Sequence, residues 1–595
     1  MCGINVILGK TNKKAQHDIE AMMRSTAHRG PDYSAWNQVG ASLFMAGNRL
    51  KILDMSEASN QPLWNQEKSA VLVWNGALYN YQDLRNSLLH LSYFFETNSD
   101  SEVLLHWLKH YGKNGLKDLK GMFALAFADL DKQELLIARD PSGEKPLYFA
   151  EHKNNWYFSS EARAIKEITD SRIDISQFMP YFYVRHPFPK GSLFADISQV
   201  LAGQAMLLDF DGKKKECWDL GKQHLPMGKF DPNRLEEVLK DAVLKNFHTE
   251  RPLGVMLSGG ADSSLIYALW YEETGQALPT YTITFDHKYQ KNYCDPNFAN
   301  KFNKHYPSFH QEVKIDLTKV KENWPAFIQS LDQPIGDSAG FLTWMLAKEA
   351  STAVKVLISG AGADELFGGY NRHQAFLQYL KHPNFWENIK KLGIHQAFPA
   401  SLKKMIGSIG ETQQETFIQM SALQQIPSHY LPLFTALYPS SGNPMKDALE
   451  WDRVFYLVND ILKIHDNACM AHGIEGRSPY LDQELISISL GLSETQHREQ
   501  IGKKWIKEAL QKRNLGFISN RKKLGFGLPL REWMANKEFQ EWVWPAIKQL
   551  EKDWGQHFPD EMRTLAKAPD KAKGREFLQV WNLFLLASWL EQYGK

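Results

Sequence analysis

The sequence predicts an α/β protein of more than one domain, with a parallel sheet in its second half. The chain has 595 residues, which is more than a single hydrophobic core usually accommodates. An apolar stretch at residues 253–257 ends at Gly259 and Gly260, and a helical apolar pattern follows. Helical segments separate it from further β-type stretches at residues 281–285 and 354–359. Strands separated by helices indicate a parallel sheet, which binds ligands at the carboxyl ends of its strands.

The composition is that of an ordinary globular protein with balanced charge. Hydrophobic residues make up 43% and charged residues 23% of the chain, and 69 Lys and Arg face 68 Asp and Glu. This balance gives no bulk attraction to nucleic acid or to an anionic membrane. No apolar run approaches the ~18 residues of a membrane span, and the N-terminus lacks a secretory-signal pattern. Because Cys2, Cys217, Cys294 and Cys469 are widely spaced, we expect neither zinc nor disulfides, and a cytoplasmic location.

A cysteine stands at the second position, where removal of Met1 would make it the N-terminal residue. Cys2 would then carry a thiol and a free α-amino group. The reference pKa is about 8 for the amine and about 8.5 for the thiol, so the amine can act as the base of the thiol near neutral pH. A cysteine at this position usually has no catalytic role, so the segments that follow decide whether Cys2 is an N-terminal nucleophile.

The loop after residues 253–257 has the composition of a phosphate-binding site. A Gly-rich turn that opens a helix aims backbone N–H groups and the positive end of the helix dipole at one point. No Walker-type lysine follows; Asp262 stands there instead, and a carboxylate suits a phosphate when a divalent cation lies between them. A second Gly-rich loop, which begins at Ser359, carries Asp364. We therefore predict that Asp262 and Asp364, at neighbouring strand ends, bind Mg²⁺ on the pyrophosphate of a nucleotide.

The first 218 residues resemble the class II glutamine amidotransferases. The resemblance rests on Cys2 and on the motifs at residues 28–32, 48–54, 59–62 and 75–80. It implies an α+β N-terminal-nucleophile sandwich with α/β/β/α layers, in which Cys2 attacks the side-chain amide of glutamine. It also implies that the Asn75 side chain and the Gly76 backbone N–H form the oxyanion hole.

The same resemblance assigns the rest of a glutamine pocket. Arg49 would hold the α-carboxylate of glutamine, Asp100 would hold its α-ammonium group, and the main chain at Leu50 and Ile52 would line the pocket. Asparagine synthetases carry Asn-Gly-Glu at the oxyanion motif, whereas this chain has Ala77 in place of the glutamate. Either Asp100 then holds the ammonium group alone, or glutamine binds more weakly.

Residues 233–595 resemble the synthetase domain of the asparagine synthetases, which has an ATP-pyrophosphatase fold, and we predict a linker at residues 219–232. The matching motifs lie at residues 255–264, 359–370, 470–482, 502–506, 521–529 and 581–589. The resemblance is weakest over residues 382–450, which we interpret as additional helices. It assigns ATP binding to these residues: Leu257, Ser258, Gly259, Gly260, Asp262, Ser263, Ile283, Ser359 and Gly360.

Three further residues are assigned by this resemblance. Lys504 would lie near the phosphates and offset charge on the departing pyrophosphate. Glu475 and Arg477 are candidates for the side of the cleft that binds the acid substrate, with a structural ion pair as the alternative. Asparagine synthetases carry Ser-Gly-Glu-Gly at the second loop, and this chain has Ala361 there. Either Glu365 or Glu475 replaces that glutamate, or the reaction proceeds by positioning alone, or the enzyme amidates a different acid.

Two sites in one chain predict one composite reaction. Cys2 would release ammonia from glutamine, ATP would activate a carboxylate as an acyl-adenylate, and ammonia would displace AMP. Because ammonium has no lone pair, we expect ammonia to travel through a dry passage. We therefore predict a member of the asparagine synthetases that uses glutamine, aspartate, ATP and Mg²⁺, acts as a homodimer and has no nucleic-acid or membrane partner. The alternatives are a related amidotransferase that acts on another carboxylate, and a non-catalytic protein that keeps the fold.

Overall fold

A computed structural model of the protein describes residues 2–9, 13–221, 231–289, 295–393, 398–521 and 525–594. Cys294, most of the predicted linker and part of the motif at residues 521–529 lie outside the described residues. Within those ranges, no helix has both the length and the apolar character needed to cross a membrane.

The N-terminal part of the chain forms two six-stranded antiparallel sheets. Its strands are β1 (Cys2–Leu8), β2 (Tyr33–Val39), β3 (Leu43–Arg49), β4 (Leu63–Trp64), β5 (Ala70–Leu78), β6 (Gly121–Asp129), β7 (Glu134–Arg139), β8 (Tyr148–His152), β9 (Asn155–Ser159), β10 (Ser198–Gln199), β11 (Gln204–Asp209) and β12 (Lys214–Asp219). The first sheet has the order β10-β8-β9-β1-β3-β2, and the second has the order β12-β11-β7-β6-β5-β4. The sequence of residues 207–218, with Asp211-Gly212 as its turn, predicts a hairpin, and β11 and β12 form it.

The two sheets pack face to face and carry helices on their outer faces. Ile4 and Val6 of β1 pack against Val71 and Val73 of β5 in the core between the sheets. The helices of this part are α1 (Lys13–Ser25), α2 (Tyr81–His90), α3 (Asp100–Tyr111), α4 (Ala162–Thr169) and α5 (Phe178–Val184). Helices α1 and α4 cover the first sheet, and α2 and α3 cover the second. The predicted α/β/β/α sandwich is confirmed, and burial of both faces explains why β1 reads as a nearly continuous apolar run.

The C-terminal part is organised around one five-stranded parallel sheet. Its strands are β13 (Leu253–Met256), β14 (Pro279–Thr284), β15 (Phe309–Lys314), β16 (Val356–Ile358) and β17 (Glu475–Arg477), in the order β15-β14-β13-β16-β17. The strands expected near residues 253, 281 and 354 are confirmed. Neither edge strand was predicted, because β15 is mostly polar and exposed and β17 has no apolar residue.

Helices flank this sheet and extend to the C-terminus. They are α6 (Pro232–Phe247), α7 (Ala261–Thr274), α8 (Asp295–Asn303), α9 (Leu317–Ser330), α10 (Ala339–Ala350), α11 (Ala363–Phe367), α12 (Asn371–Lys381), α13 (Pro383–Lys391), α14 (Ala400–Gly407), α15 (Gln413–Ser421), α16 (Leu431–Thr435), α17 (Pro444–Trp451), α18 (Leu462–Met470), α19 (Gln483–Leu490), α20 (Glu494–Gln500), α21 (Lys504–Lys512), α22 (Gly516–Ser519), α23 (Leu530–Trp533), α24 (Lys537–Trp554), α25 (Asp560–Lys567) and α26 (Phe577–Tyr593). A π-helix, Asp452–Ile461, joins α17 to α18.

The weakly matching stretch at residues 382–450 contains helices α13 to α17, as predicted, although residues 394–397 lie outside the described ranges. Together with α12 these helices form a separate apolar cluster that includes Phe376, Phe417 and Trp451. Tyr183 of α5 packs into the same cluster. The added helices are therefore anchored to the N-terminal part of the chain.

Buried ion pairs join the sandwich to the parallel-sheet part. The Arg29 guanidinium, which is fully buried, donates to Glu161 Oε1 at 3.1 Å and to Asp466 Oδ2 of α18 at 2.7 Å. Lys145 Nζ lies 3.7 Å from Asp466 Oδ1 and donates to the carbonyl oxygen of Gly476 at 3.3 Å. A buried charge that loses its partner is strongly destabilising, so this network fixes how the two parts dock.

Replacing Arg29 with Met is expected to lower the free energy of unfolding by about 3–5 kcal/mol, because Glu161 and Asp466 would lose a buried cation. Urea denaturation followed by tryptophan fluorescence measures this change. Arg24→Met, at an exposed position of α1, is the matched control and should stay within about 0.5 kcal/mol of the wild-type protein. An Arg29→Met variant as stable as that control would contradict the assigned role.

Candidate active sites

A cavity opens at the start of β1. The structure brings most residues predicted to bind glutamine to its wall: Cys2, Arg49, Leu50, Ile52, Gly76 and Asp100. Ala77 lies on the same wall.

Cys2 is positioned by the pairing of β1 with β3 and by Asn75. The backbone N–H of Cys2 donates to Asn75 Oδ1 at 3.0 Å, and its partner in the sheet register is Arg49. Asn75 Nδ2 is buried and has no hydrogen-bond partner among the described residues. A buried amide donor without a partner needs a ligand acceptor, and an oxyanion formed next to Cys2 would supply one. Burial raises the pKa of the Cys2 thiol, which makes an adjacent base more important.

Gln61 is a residue of this site that the sequence did not single out. Its Nε2 lies 3.6 Å from Cys2 Sγ, and its Oε1 accepts a hydrogen bond from the Trp74 backbone at 2.7 Å.

Gly76 lies on β5, two residues after Trp74. A side chain at position 76 would collide with the backbone of Met122 on β6. A glycine is therefore required for this close approach of two strands.

The loop after β3 holds the Arg49 guanidinium in place. It donates to the carbonyl oxygen of Ser56 and to Asn60 Oδ1, both at 2.9 Å, and to the carbonyl oxygen of Asp54. Burial lowers the pKa of Arg49, while the neighbouring Cys2 and Asp54 raise it. The result is a fixed positive charge on the cavity wall.

Asp100 is the first residue of α3 and faces the same cavity. The Leu78 backbone N–H donates to its Oδ2 at 3.2 Å. Burial raises the pKa of Asp100 to about 6, and the charge of Glu475 contributes to the increase. Fixed charges of both signs thus line one cavity, as a zwitterionic ligand requires.

The second predicted site lies where β13 meets α7. Gly259 has a φ of +63°, and the N–H of Gly260 donates to Ser258 Oγ at 3.2 Å. Arg521 Nη1 donates to the carbonyl oxygen of Gly259 at 2.9 Å. These contacts give the loop the tight turn expected of an anion-binding helix start. Ile283 lies on the neighbouring strand β14, and Ser359 and Gly360 follow β16 on the other side, so the predicted nucleotide-binding residues converge on one sheet edge.

The two predicted acidic residues meet at this edge. Lys503 Nζ lies 2.6 Å from Asp262 Oδ2 and 2.7 Å from Asp364 Oδ1. Gly360 packs closely against Asp262, and a side chain at Gly369 would collide with Asp364. The glycines of the second loop therefore leave room for both carboxylates to approach one cation.

Lys503, rather than the predicted Lys504, is the lysine that contacts Asp262 and Asp364. Lys503 is buried and has a left-handed backbone with a φ of +60°, which directs its side chain to the carboxylates. Lys504 begins α21 and is exposed to solvent. Burial alone would lower the pKa of Lys503, but Asp262 and Asp364 raise it above its ordinary value. Because the two lysines are adjacent, the sequence alone does not show which of them reaches the carboxylates.

Ala361 lies among aliphatic side chains. It packs against a small cluster formed by Leu457, Leu462 and Leu481. Glu365 is buried on α11 and accepts a hydrogen bond from the Tyr370 hydroxyl at 2.6 Å. Burial and the charge of Asp364 raise the pKa of Glu365 to about 7, which is suitable for proton transfer near neutral pH.

Glu475 and Arg477 lie in the Cys2 cavity and form the buried ion pair that was the alternative to a role in binding the acid substrate. Both side chains line that cavity, and Arg477 Nε donates to Glu475 Oε1 at 2.6 Å. They alternate with Gly476 on β17, so one face of this edge strand meets the sandwich. Glu475 consequently does not replace the glutamate missing at Ala361.

Known proteins match the chain over its full length. The glutamine amidotransferase domain model matches residues 1–219, and the asparagine synthase model matches residues 234–591. Asparagine synthetase (glutamine-hydrolyzing) 1 of Bacillus subtilis is 28% identical over 99% of this chain and 96% of its own. The asparagine synthetase (glutamine-hydrolyzing) of Asparagus officinalis is 29% identical over 64% of this chain and 61% of its own, and that of Sandersonia aurantiaca is 28% identical over 64% and 69%.

The asparagine synthase model covers more than half of the chain, and the sandwich with its N-terminal cysteine matches the amidotransferase model. The chain therefore belongs to the asparagine synthase family.

Proposed function

We propose that this protein is a glutamine-dependent asparagine synthetase, with an amidotransferase domain at residues 1–218 and a synthetase domain at residues 233–595. Glutamine would supply the nitrogen, and aspartate and ATP would form the β-aspartyl-AMP that receives it. The observation that carries the proposal is the cavity that unites Cys2, Arg49 and Asp100. A nucleophile, a cation and an anion around one cavity match the amide, α-carboxylate and α-ammonium groups of glutamine.

In the first half-reaction, Cys2 attacks the side-chain amide carbon of glutamine once Met1 has been removed. The α-amine then stands where the backbone N–H now donates to Asn75 Oδ1, and it takes the thiol proton. Asn75 Nδ2 and the Gly76 N–H stabilise the negative charge that develops on the amide oxygen. Ammonia leaves, and water hydrolyses the thioester to glutamate.

In the second half-reaction, the carboxylate of the acid substrate attacks the α-phosphorus of ATP. The turn at Ser258, Gly259 and Gly260 and the start of α7 bind the phosphates through backbone N–H groups. Lys503 shifts from the two carboxylates toward the departing pyrophosphate. Ammonia then attacks the acyl-adenylate carbonyl, and AMP leaves.

The carboxylates of Asp262 and Asp364 are suited to hold a Mg²⁺ ion together with the phosphates. Both converge on the single ammonium group of Lys503, so a divalent cation can meet both of them at the same place. Within the described ranges, no group of three or more His, Cys, Asp or Glu could hold a metal alone, so phosphate oxygens and water would supply the other ligands. Bound Mg²⁺ would neutralise phosphate charge during adenylation.

Ala361 favours a second candidate, an amidotransferase that activates a different carboxylate. Its methyl group packs against Leu457, Leu462 and Leu481, so position 361 itself contributes no carboxylate. The ATP-dependent chemistry is the same for both candidates, and the acceptor acid distinguishes them. We also expect the enzyme to work as a homodimer in the cytoplasm, where ATP, glutamine and aspartate are available.

The wild-type protein is expected to convert aspartate, glutamine and Mg-ATP into asparagine, glutamate, AMP and pyrophosphate in equal amounts. Cys2→Ala should lose the use of glutamine and keep synthesis from ammonium chloride, because the nucleophile serves only the first half-reaction. Chromatography of amino acids and nucleotides measures both reactions. Formation of ADP and phosphate would contradict adenylation, and ATP turnover only with another acid would favour the second candidate.

Lys503→Met is expected to lower kcat/KM for ATP by about 10–100-fold in ammonia-dependent synthesis, because two carboxylates would face the phosphates without their lysine. Glutamine hydrolysis should persist, since Lys503 is not part of the Cys2 cavity. Lys504→Met is the matched control at the exposed neighbour. An equal loss in both variants, or in neither, would contradict the assignment.

Glutamine is expected to bind more weakly as the pH falls through about 6, the value to which burial raises the pKa of Asp100. The protonated carboxyl has no charge with which to hold the α-ammonium group, so KM for glutamine rises on the acid side. Asp100→Asn should have a high KM at every pH and lose this dependence. Asp83→Asn, at an exposed position of α2, should retain it, and an unaltered pH profile in Asp100→Asn would refute the role.

A further inference from the structure

We propose that Glu475, a residue of the synthetase domain, holds the α-ammonium group of glutamine together with Asp100. The inference rests on the proposed hydrolysis of glutamine at Cys2. It extends that proposal, because residues of both domains would then form the glutamine pocket.

Glu475 belongs to the same cavity as the nucleophile. Its side chain is 1% exposed, and it lines the cavity with Cys2, Arg49 and Asp100. Arg477, two residues along the same face of β17, donates to Glu475 Oε1 at 2.6 Å and to the carbonyl oxygens of Asn246 and His248. This anchored arginine fixes the direction of the Glu475 carboxylate.

The charges around the cavity favour a cation between Asp100 and Glu475. The charge of Glu475 adds to the effect of burial in raising the pKa of Asp100 to about 6. Burial alone would raise the pKa of Glu475, but in the chain that still carries Met1 the positive amino terminus, Arg477 and Lys145 lower it to about 2. The two carboxylates therefore repel each other across the cavity, and an ammonium group between them removes that repulsion.

The amidotransferase domain supplies few negative groups of its own to this cavity. Among the described residues that line it, Asp100 and Glu475 are the acidic ones, and position 77 contributes only a methyl group. Without Glu475, the single buried carboxyl of Asp100 would have to hold the ammonium group alone. Next to the cavity, the side chain of Asn75 accepts a hydrogen bond from the Cys2 backbone, and its buried Nδ2 has no partner among the described residues.

Because β17 belongs to the parallel sheet, Glu475 lines the Cys2 cavity only when the two domains are packed together. Glu475 pairs with Val356 of β16, and the N–H of Ser359 donates to the carbonyl oxygen of Arg477 at 2.9 Å. Ser359 opens the second nucleotide loop. The strand that reaches glutamine is thus bonded directly to the strand that leads to ATP.

The test compares two substrates, glutamine and glutaramate, which is glutamine without its α-amino group. Glu475→Gln is expected to raise KM for glutamine by about 10–100-fold and to leave KM for glutaramate within twofold, because only glutamine has the ammonium group. Glu102→Gln, a buried carboxylate of α3 outside the cavity, is the matched control and should leave both values unchanged. The double variant Ala77→Glu, Glu475→Gln should recover glutamine binding by placing a carboxylate on β5.

An unchanged KM for glutamine in Glu475→Gln, or an equal rise for both substrates, would overturn the inference. A wild-type protein that hydrolyses no glutamine would instead refute the proposed function, so the two failures are distinguishable. If Glu475→Gln does not fold, a crystal structure of Cys2→Ala with bound glutamine decides. A Glu475 oxygen at hydrogen-bond distance from the α-nitrogen supports the inference, and an α-nitrogen held by Asp100 and water alone overturns it.

Discussion

Buried charge at the contact between the sandwich and the parallel sheet is the constraint on which the rest of the structure depends. Arg29, Lys145 and Asp466 form one network there, and Glu475 and Arg477 form a second beside it. Buried ion pairs contribute little net stability but are costly to separate. They therefore specify one arrangement of the sandwich and the parallel sheet more than they stabilise it. That fixed geometry brings β17 to the wall of the Cys2 cavity and keeps the two reaction centres in register.

The predicted nucleotide site also depends on paired charges. Asp262 and Asp364 come from loops that follow neighbouring strands, and Lys503 neutralises them before any ligand arrives. Two partly buried carboxylates that lie close together would repel each other without a cation. Lys503 supplies that cation in the structure.

The sequence predicted the fold well where patterns are local and long. The sandwich, the first strand-loop-helix of the parallel sheet and the hairpin at β11 and β12 follow from apolar runs, turn residues and motifs. It failed for β17, because three residues without an apolar side chain carry no strand signal. Lys503 and Gln61 were missed for a related reason: only the backbone conformation at Lys503, and the approach of the Gln61 loop to Cys2, determine what those side chains reach.

Because Glu475 and Arg477 come from β17, an incomplete chain that ends before this strand lacks both residues. During synthesis the sandwich emerges first, and its nucleophile is present long before residue 475 has been added. Such a nascent or truncated fragment lacks two charged walls of its own pocket. On the proposed role of Glu475, such a fragment would bind glutamine more weakly than the whole chain, so efficient nitrogen release would require the acceptor half of the polypeptide.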